Sequence, residues 1–201
     1  MKPALETLQQ HVARLHRGAP RRERLSTGVA ELDERLPDGG WPLGALTEVL
    51  CAGEGIGELR LVLSALAELS RRERWIVWVN PPYVPYAPAL VGRDMDLSRV
   101  LVVHAQATDA LWAAEQALRS ATCGAVLLWS SITEGRSLRR LQLAAEHGGS
   151  WGVLFRGHQA ASQPSPSALR LRLAPTSRGL EVEILKCRGR APAAPLVVAT
   201  G

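Results

Sequence analysis

The chain has 201 residues, 46% of them hydrophobic, which is enough for one domain with a substantial core. Its formal charge of +5 is nearly all arginine and is spread along the chain, so it implies solubility and only a weak pull toward nucleic acid or an acidic protein. No apolar run reaches the ~18 residues of a membrane span and no signal-peptide core opens the chain, while Cys51, Cys123 and Cys187 are odd in number and form no C-x-x-C pair; a cytoplasmic protein without zinc site, disulfide framework or membrane contact is expected.

Residues 4–16 carry Leu5, Leu8, Val12 and Leu15 at three- and four-residue steps, a narrow apolar helical seam. Gly18, Pro20 and four arginines follow and mark a linker, so residues 1–24 form an N-terminal helix and basic linker. The seam can dock on a partner or pack back on its own sheet. Residues 25–187 form the main domain and residues 188–201 an extended tail. Within the domain, 29–36 predicts a short helix, 37–40 a turn, 46–50 a strand and 57–70 a helix with Leu59, Val62, Leu63, Leu66 and Leu69 on one face. The apolar run 75–79 predicts a strand covered on both sides, cut short by the prolines of 80–86. Strands at 100–103, 125–129 and 151–155 alternate with helices at 109–119 and 137–147. Residues 156–167 are polar and read as a mobile surface loop; 169–173 and 180–186 alternate and predict an antiparallel pair. The expected fold is α/β, a mainly parallel sheet between helices with antiparallel C-terminal strands.

The segment from Leu46 to Leu61 has the layout of a phosphate-binding loop: buried strand, glycine-rich turn, helix start. The Walker pattern asks for glycine, four residues, then Gly-Lys-Ser/Thr. Counting back from Gly57, the first glycine position holds Ala52, the lysine position Glu58 and the hydroxyl position Leu59. A carboxylate at the clamp repels a γ-phosphate. Bare amides at Gly53, Gly55 and Gly57 can in principle bind an anion, but a tight strand-to-helix turn is the better account of the glycines, because Glu54 and Glu58 add two negative charges. A dinucleotide fingerprint fails because its third glycine position is Glu58.

Elsewhere, Tyr83 and Tyr86 among prolines offer stacking surfaces or simple loop packing. Trp75, Trp78 and Trp151 read as core, Trp41 and Trp112 as partly exposed anchors. Lys186, Arg188 and Arg190 form the densest basic cluster, either a surface for an acidic partner or a solvated strand end. His104, His147 and His158 have no matching nucleophile, so no catalytic triad is expected.

The blocks 25–28, 32–33, 39–44, 96–101, 123–126 and 183–186 resemble the RecA ATPase core. More closely, Gly39-Gly40-Trp41-Pro42-Leu43-Gly44-Ala45-Leu46-Thr47-Glu48, Gly55-Ile56-Gly57-Glu58-Leu59, the proline-tyrosine run 81–88, 110–112, 139–146 and 166–172 make the chain resemble the ImuA family, the SulA-related, RecA-like proteins of bacterial DNA-damage operons. The resemblance spans about 25–192. It implies a RecA-like P-loop fold and a role in DNA-damage-induced translesion synthesis, with three implied partners: an ImuB-like Y-family polymerase relative, an error-prone DnaE-type polymerase and RecA. By the same comparison the acid of the Walker B strand falls at Trp129, which cannot hold magnesium, and the water-activating glutamate falls in Val79-Asn80-Pro81-Pro82, which has no acid. A non-catalytic adaptor without cofactor is therefore expected, with Gly53, Gly55 and Gly57 an empty, degenerate loop. Leu5, Leu8, Val12, Leu15, Lys186, Arg188 and Arg190 are expected at partner contacts, and DNA contact weak or indirect. Two alternatives stay open: a SulA-like cell-division inhibitor that binds FtsZ, and a weak ATPase that borrows catalytic groups from a partner.

Overall fold

The computed structural model describes residues 24–131, 134–190 and 193–199, so the predicted N-terminal helix with Leu5, Leu8, Val12 and Leu15 lies outside the described residues. One sheet of eight strands runs β3-β2-β4-β5-β1-β6-β7-β8. Its strands are β1 (Ala45–Cys51), β2 (Trp75–Val79), β3 (Val100–Val103), β4 (Cys123–Trp129), β5 (Trp151–Gly157), β6 (Leu169–Thr176), β7 (Gly179–Cys187) and β8 (Leu196–Val198). Pairing is parallel from β3 across to β6 and antiparallel between β6, β7 and β8. This is the mixed α/β arrangement the alternating pattern implies.

Among the described residues five α-helices serve the sheet: α1 (Ala30–Arg35), α2 (Glu58–Arg71), α3 (Ala87–Val91), α4 (Ala107–Arg119) and α5 (Gly135–Gly148). Leu61, Val62, Ala65, Leu66 and Leu69 of α2 recur at helical spacing and are buried, together with Val49, Trp78, Leu127 and Val153, in the larger core. The opposite face of the sheet packs Leu46, Val77, Val126 and Leu154 against Ala114 and Leu118 of α4 and Leu138 and Leu141 of α5. The two helices approach closely at Gly148, where a Cβ would stand 2.0 Å from the Leu118 carbonyl oxygen, so only glycine fits. Buried Gln142 of α5 accepts the Leu46 N–H at 3.0 Å and so fixes the start of β1.

Asp33 of α1 organises the entry to the domain. Its carboxylate accepts the Thr27 N–H at 2.8 Å, the Ser26 hydroxyl at 2.6 Å and the Arg24 guanidinium at 3.2 Å. Burial works against the charged form, but these donors outweigh it and hold the Asp33 carboxyl below the usual aspartate range. Leu25 then bridges to Trp41, whose indole stacks on Trp151 with ring centroids 4.8 Å apart. Trp41 is thus core, not the partly exposed anchor its turn context suggests; the bridge carries it inward. Trp75 differs the other way: as the first residue of β2 it is 37% exposed, with the Arg99 guanidinium over its ring. Trp78 and Trp151 are buried and Trp112 is 61% exposed, as expected.

Two segments depart from the sequence reading. Residues 156–167 are held, not free: β5 continues through Arg156, a 3-10 turn follows at His158–Ser162, and Ala160 and Ser167 are buried. The tail also returns to the sheet, where β8 pairs with β7 and Leu196 enters the core at 4% exposure. The alternation of Leu196 and Val198, two apolar residues on one side of a short strand, supplies the reason.

Candidate binding site at the carboxyl end of the sheet

At the carboxyl ends of β1, β4 and β5 lies a cavity of about 470 Å³, lined among others by Cys51, Gly53, Glu54, Glu58, Trp129, Phe155 and Arg156. That volume is in the range of small-ligand sites. The glycine-rich turn forms one wall. Gly55 and Gly57 take φ values of +72° and +97°, which lets the chain leave β1 and enter α2 in the space of a few residues. Gly53 and Gly55 are exposed, Gly57 partly so.

Glu58 opens α2 and does not point away from this turn. It is only 6% exposed, and its Oε1 accepts the Gly55 N–H at 3.2 Å. The carboxylate therefore occupies the cradle and satisfies a loop amide that a phosphate would otherwise take. Its second oxygen, Oε2, is enclosed with no hydrogen-bond partner among the described residues. The Cys51 thiol stands beside it. Burial, and next the charge of Glu58, push that thiol up to about 12, so it is neutral at physiological pH.

The floor is aromatic. Trp129 stacks on Phe155 with centroids 4.7 Å apart and on Trp78 at 5.6 Å, three neighbouring strands supplying one ring each. Among the described residues, no group of three or more His, Cys, Asp or Glu side chains could hold a metal ion. Asn80 and Pro82 also line the cavity, and no acid stands in Val79-Asn80-Pro81-Pro82. The lining is apolar on its aromatic side and carries carboxylates at Glu54 and Glu58.

Behind the cavity lies an ion cluster that the sequence reading missed. Glu48 of β1 is fully buried; its carboxylate meets the Arg156 guanidinium at 2.8 Å and Nε of Arg170 at 3.4 Å, and it accepts the hydroxyls of Ser165 and Ser167. Arg156 also donates to Gln163 at 2.8 Å, and Arg170 donates to the carbonyls of Ala160 and Gln163. The signal was present: a glutamate within the apolar run of a covered strand demands an internal cation.

Each member of the expected basic cluster has a local partner. Lys186 donates to the Ser165 carbonyl at 2.7 Å, Arg188 lies 3.6 Å from Glu146 of α5, and Arg190 donates to the Glu34 carbonyl beside α1. Burial, then Arg188 and Arg170, lower the Lys186 pKa against the pull of Glu48. None of the three lines the cavity. No helix among the described residues is long and apolar enough to cross a membrane.

No family model matches the chain. Among curated proteins it is 30% identical over 195 residues to protein ImuA of Caulobacter vibrioides, in two strains, an alignment covering 84% of this chain and 80% of that protein. It is 32% identical over 103 residues to the cell division inhibitor SulA of Edwardsiella piscicida, covering 49% of this chain and 61% of that protein. The crystal structure of SulA from Pseudomonas aeruginosa superposes with a TM-score of 0.46 at 24% identity, over 57% of this chain and 98% of that one.

Proposed function

Because the chain belongs to the ImuA family, we propose that it is a non-catalytic adaptor in the bacterial response to DNA damage, built on a RecA-like core that no longer uses nucleotide. One observation carries the non-catalytic part: Glu58 stands where a phosphate clamp requires lysine and folds back onto the Gly55 amide. The aromatic stack through Trp129 supports it, because an indole offers magnesium no ligand. The strand order is compatible with a RecA-like core, since β5 separates the glycine-loop strand β1 from β4, which ends at Trp129.

An adaptor acts through its surfaces. The partners we propose are an ImuB-like Y-family polymerase relative, a DnaE-type polymerase and RecA, with translesion synthesis as the process. Direct DNA contact is weak in this reading: Arg156, near the end of β5 and the one arginine of residues 156–167, pairs with Glu48 in the interior, and nucleic-acid affinity needs several cations free to meet phosphates. The test is capture of the tagged full-length chain from damaged and undamaged cells, followed by mass spectrometry. Recovery of the two polymerase relatives and RecA after damage is expected; recovery of none of them overturns the reading. The similarity to SulA over 103 residues favours a second one, a cell-division inhibitor, for which FtsZ is the protein recovered.

A further inference from the structure

The charges that exclude a phosphate from the cavity fit the opposite ligand. Glu58 is buried to 6% exposure, with Oε2 enclosed and lacking a hydrogen-bond donor among the described residues. A carboxylate in that state has lost solvation without full replacement, which favours any donor brought to it. Glu54, exposed at the mouth, adds a second negative charge. Arg156 is the one arginine or lysine among the described lining residues, and its guanidinium is already matched by Glu48 and Gln163. Cys51 contributes no charge. The cavity is therefore net negative and open to solvent at the glycine loop.

Its floor and rim narrow the choice of cation. Trp129 and Phe155, stacked on each other, line the cavity with apolar aromatic surface. A guanidinium is planar and weakly hydrated, so it tolerates such a surface better than a compact ammonium does. At the rim, Pro82 lines the cavity, and the residues after it, Tyr83, Val84 and Tyr86, are 67%, 85% and 71% exposed. Exposed tyrosines among prolines form a stiff amphipathic ledge of the kind that receives a polypeptide. A nucleic-acid strand would meet two carboxylates and no free cation on the same surface.

We propose that this cavity receives an arginine side chain presented by a protein partner, its guanidinium pairing with Glu58 and Glu54 above the Trp129–Phe155 floor and the partner's chain lying against Tyr83, Val84 and Tyr86. The site goes beyond the adaptor reading by naming the chemistry through which one contact is made.

The full chain, ¹⁵N-labelled, is titrated with N-acetyl-arginine amide, N-acetyl-lysine amide and ATP–Mg²⁺, following the Trp129 indole N–H and the Gly55 amide by NMR. The arginine probe is expected to shift both resonances saturably, with the lysine probe several-fold weaker and ATP without effect. Glu58→Gln is expected to weaken the arginine probe about tenfold and Glu54→Gln about threefold. Glu54 is exposed, so its variant keeps the fold and reports on charge even if Glu58→Gln does not fold. The proposal is overturned if no saturable shift occurs up to roughly 10 mM, if Glu54→Gln binds the arginine probe at full strength, or if ATP–Mg²⁺ shifts the same two resonances. Because this is read on isolated protein, its failure leaves the adaptor reading standing, and failed partner capture leaves the cation site standing.

Discussion

Arg156 donates to Glu48 at 2.8 Å, and the two side chains are 2% and 0% exposed. The pair joins β5 to β1 from within the sheet, at a place where the sequence suggested a loose polar loop. Because Arg170 and two serine hydroxyls share the same carboxylate, the segment 158–168 is fastened across β1 and β6. That fastening also shapes the back wall of the cavity.

Glu48 serves two cations, so the cost of removing it exceeds the cost of removing either one. Glu48→Gln leaves two guanidiniums buried without a counter-charge and is expected to cost about 4 kcal/mol. Arg156→Met leaves Glu48 with Arg170 and the serines and is expected to cost about 2 kcal/mol. Against a typical net stability of about 5–15 kcal/mol, either loss is easily resolved. Urea unfolding of both variants decides the matter; equal costs, or the reverse order, would show that the cluster is not centred on Glu48.

The strands and long helices were legible because their burial repeats at periods of two and 3.6, as in α2 and β7. Glu58 was legible as a missing lysine, but not as a carboxylate turned inward onto Gly55: spacing gives identity at a position, whereas direction depends on the fold around it. The Glu48 cluster was missed because its members lie more than 100 residues apart in the chain, Glu48 against Arg156 and Arg170, and no local pattern joins them. Trp41 was misplaced for the same reason, since only the bridge to Leu25 brings it onto Trp151. The tail beyond Lys186 read as extended from its prolines and arginines, and the three residues Leu196–Val198 were too short a run to outweigh them.

Asp33 makes stability depend on acid pH. Its folded-state pKa lies below the usual aspartate range although burial opposes this, because Ser26, Thr27 and Arg24 favour the carboxylate. The stabilisation is fully present well above the unfolded pKa and is lost as pH falls from about 4 through the lower folded value. Asp33→Asn should therefore be less stable at neutral pH and show a flatter loss of stability below about pH 4. Thermal melts of both proteins from pH 7 to pH 3 check this; parallel curves would mean that Asp33 is not the group responsible.

Cys51 is expected to resist alkylation. A thiol moved from its ordinary range near 9 to about 12 presents about a thousandfold less thiolate at pH 8. Burial is the main cause and Glu58 the second, so Glu58→Gln should speed the reaction of Cys51 with iodoacetamide while leaving it slower than in unfolded protein. Peptide mapping after timed labelling measures both. A Cys51 that labels in the native protein as fast as in urea would contradict the enclosed site.

Restoring one charge should not restore an ATPase. Glu58→Lys supplies the clamp, but Leu59 has no hydroxyl and Trp129 no carboxylate, so metal ligation is still absent. Purified wild type and Glu58→Lys are both expected to hydrolyse ATP at the background rate in a phosphate-release assay. Turnover above background in the wild type, lost on substitution of Gly57, would refute the non-catalytic reading.

Truncation after Lys186 removes β8, and with it both the pairing of Leu196 with Val182 and a side chain only 4% exposed. Leu196→Ala alone is expected to cost about 2 kcal/mol, the low end for a buried leucine because β8 is short and at the sheet edge. The truncation should cost at least as much, since it also strips the hydrogen-bonded partner from Leu180, Glu181 and Val182. Loss of partner binding in the truncated chain would then mix unfolding with a lost contact. Charge substitution separates them. Arg188 and Arg190 are exposed, and their contacts run to Glu146 and to the Glu34 carbonyl at the surface, so Arg188→Ala with Arg190→Ala should change the melting temperature by only a few degrees. If these arginines meet an acidic partner, the double variant weakens capture of that partner while Leu196→Ala, folded and less stable, retains it. Equal capture by wild type and double variant would remove Arg188 and Arg190 from the partner surface.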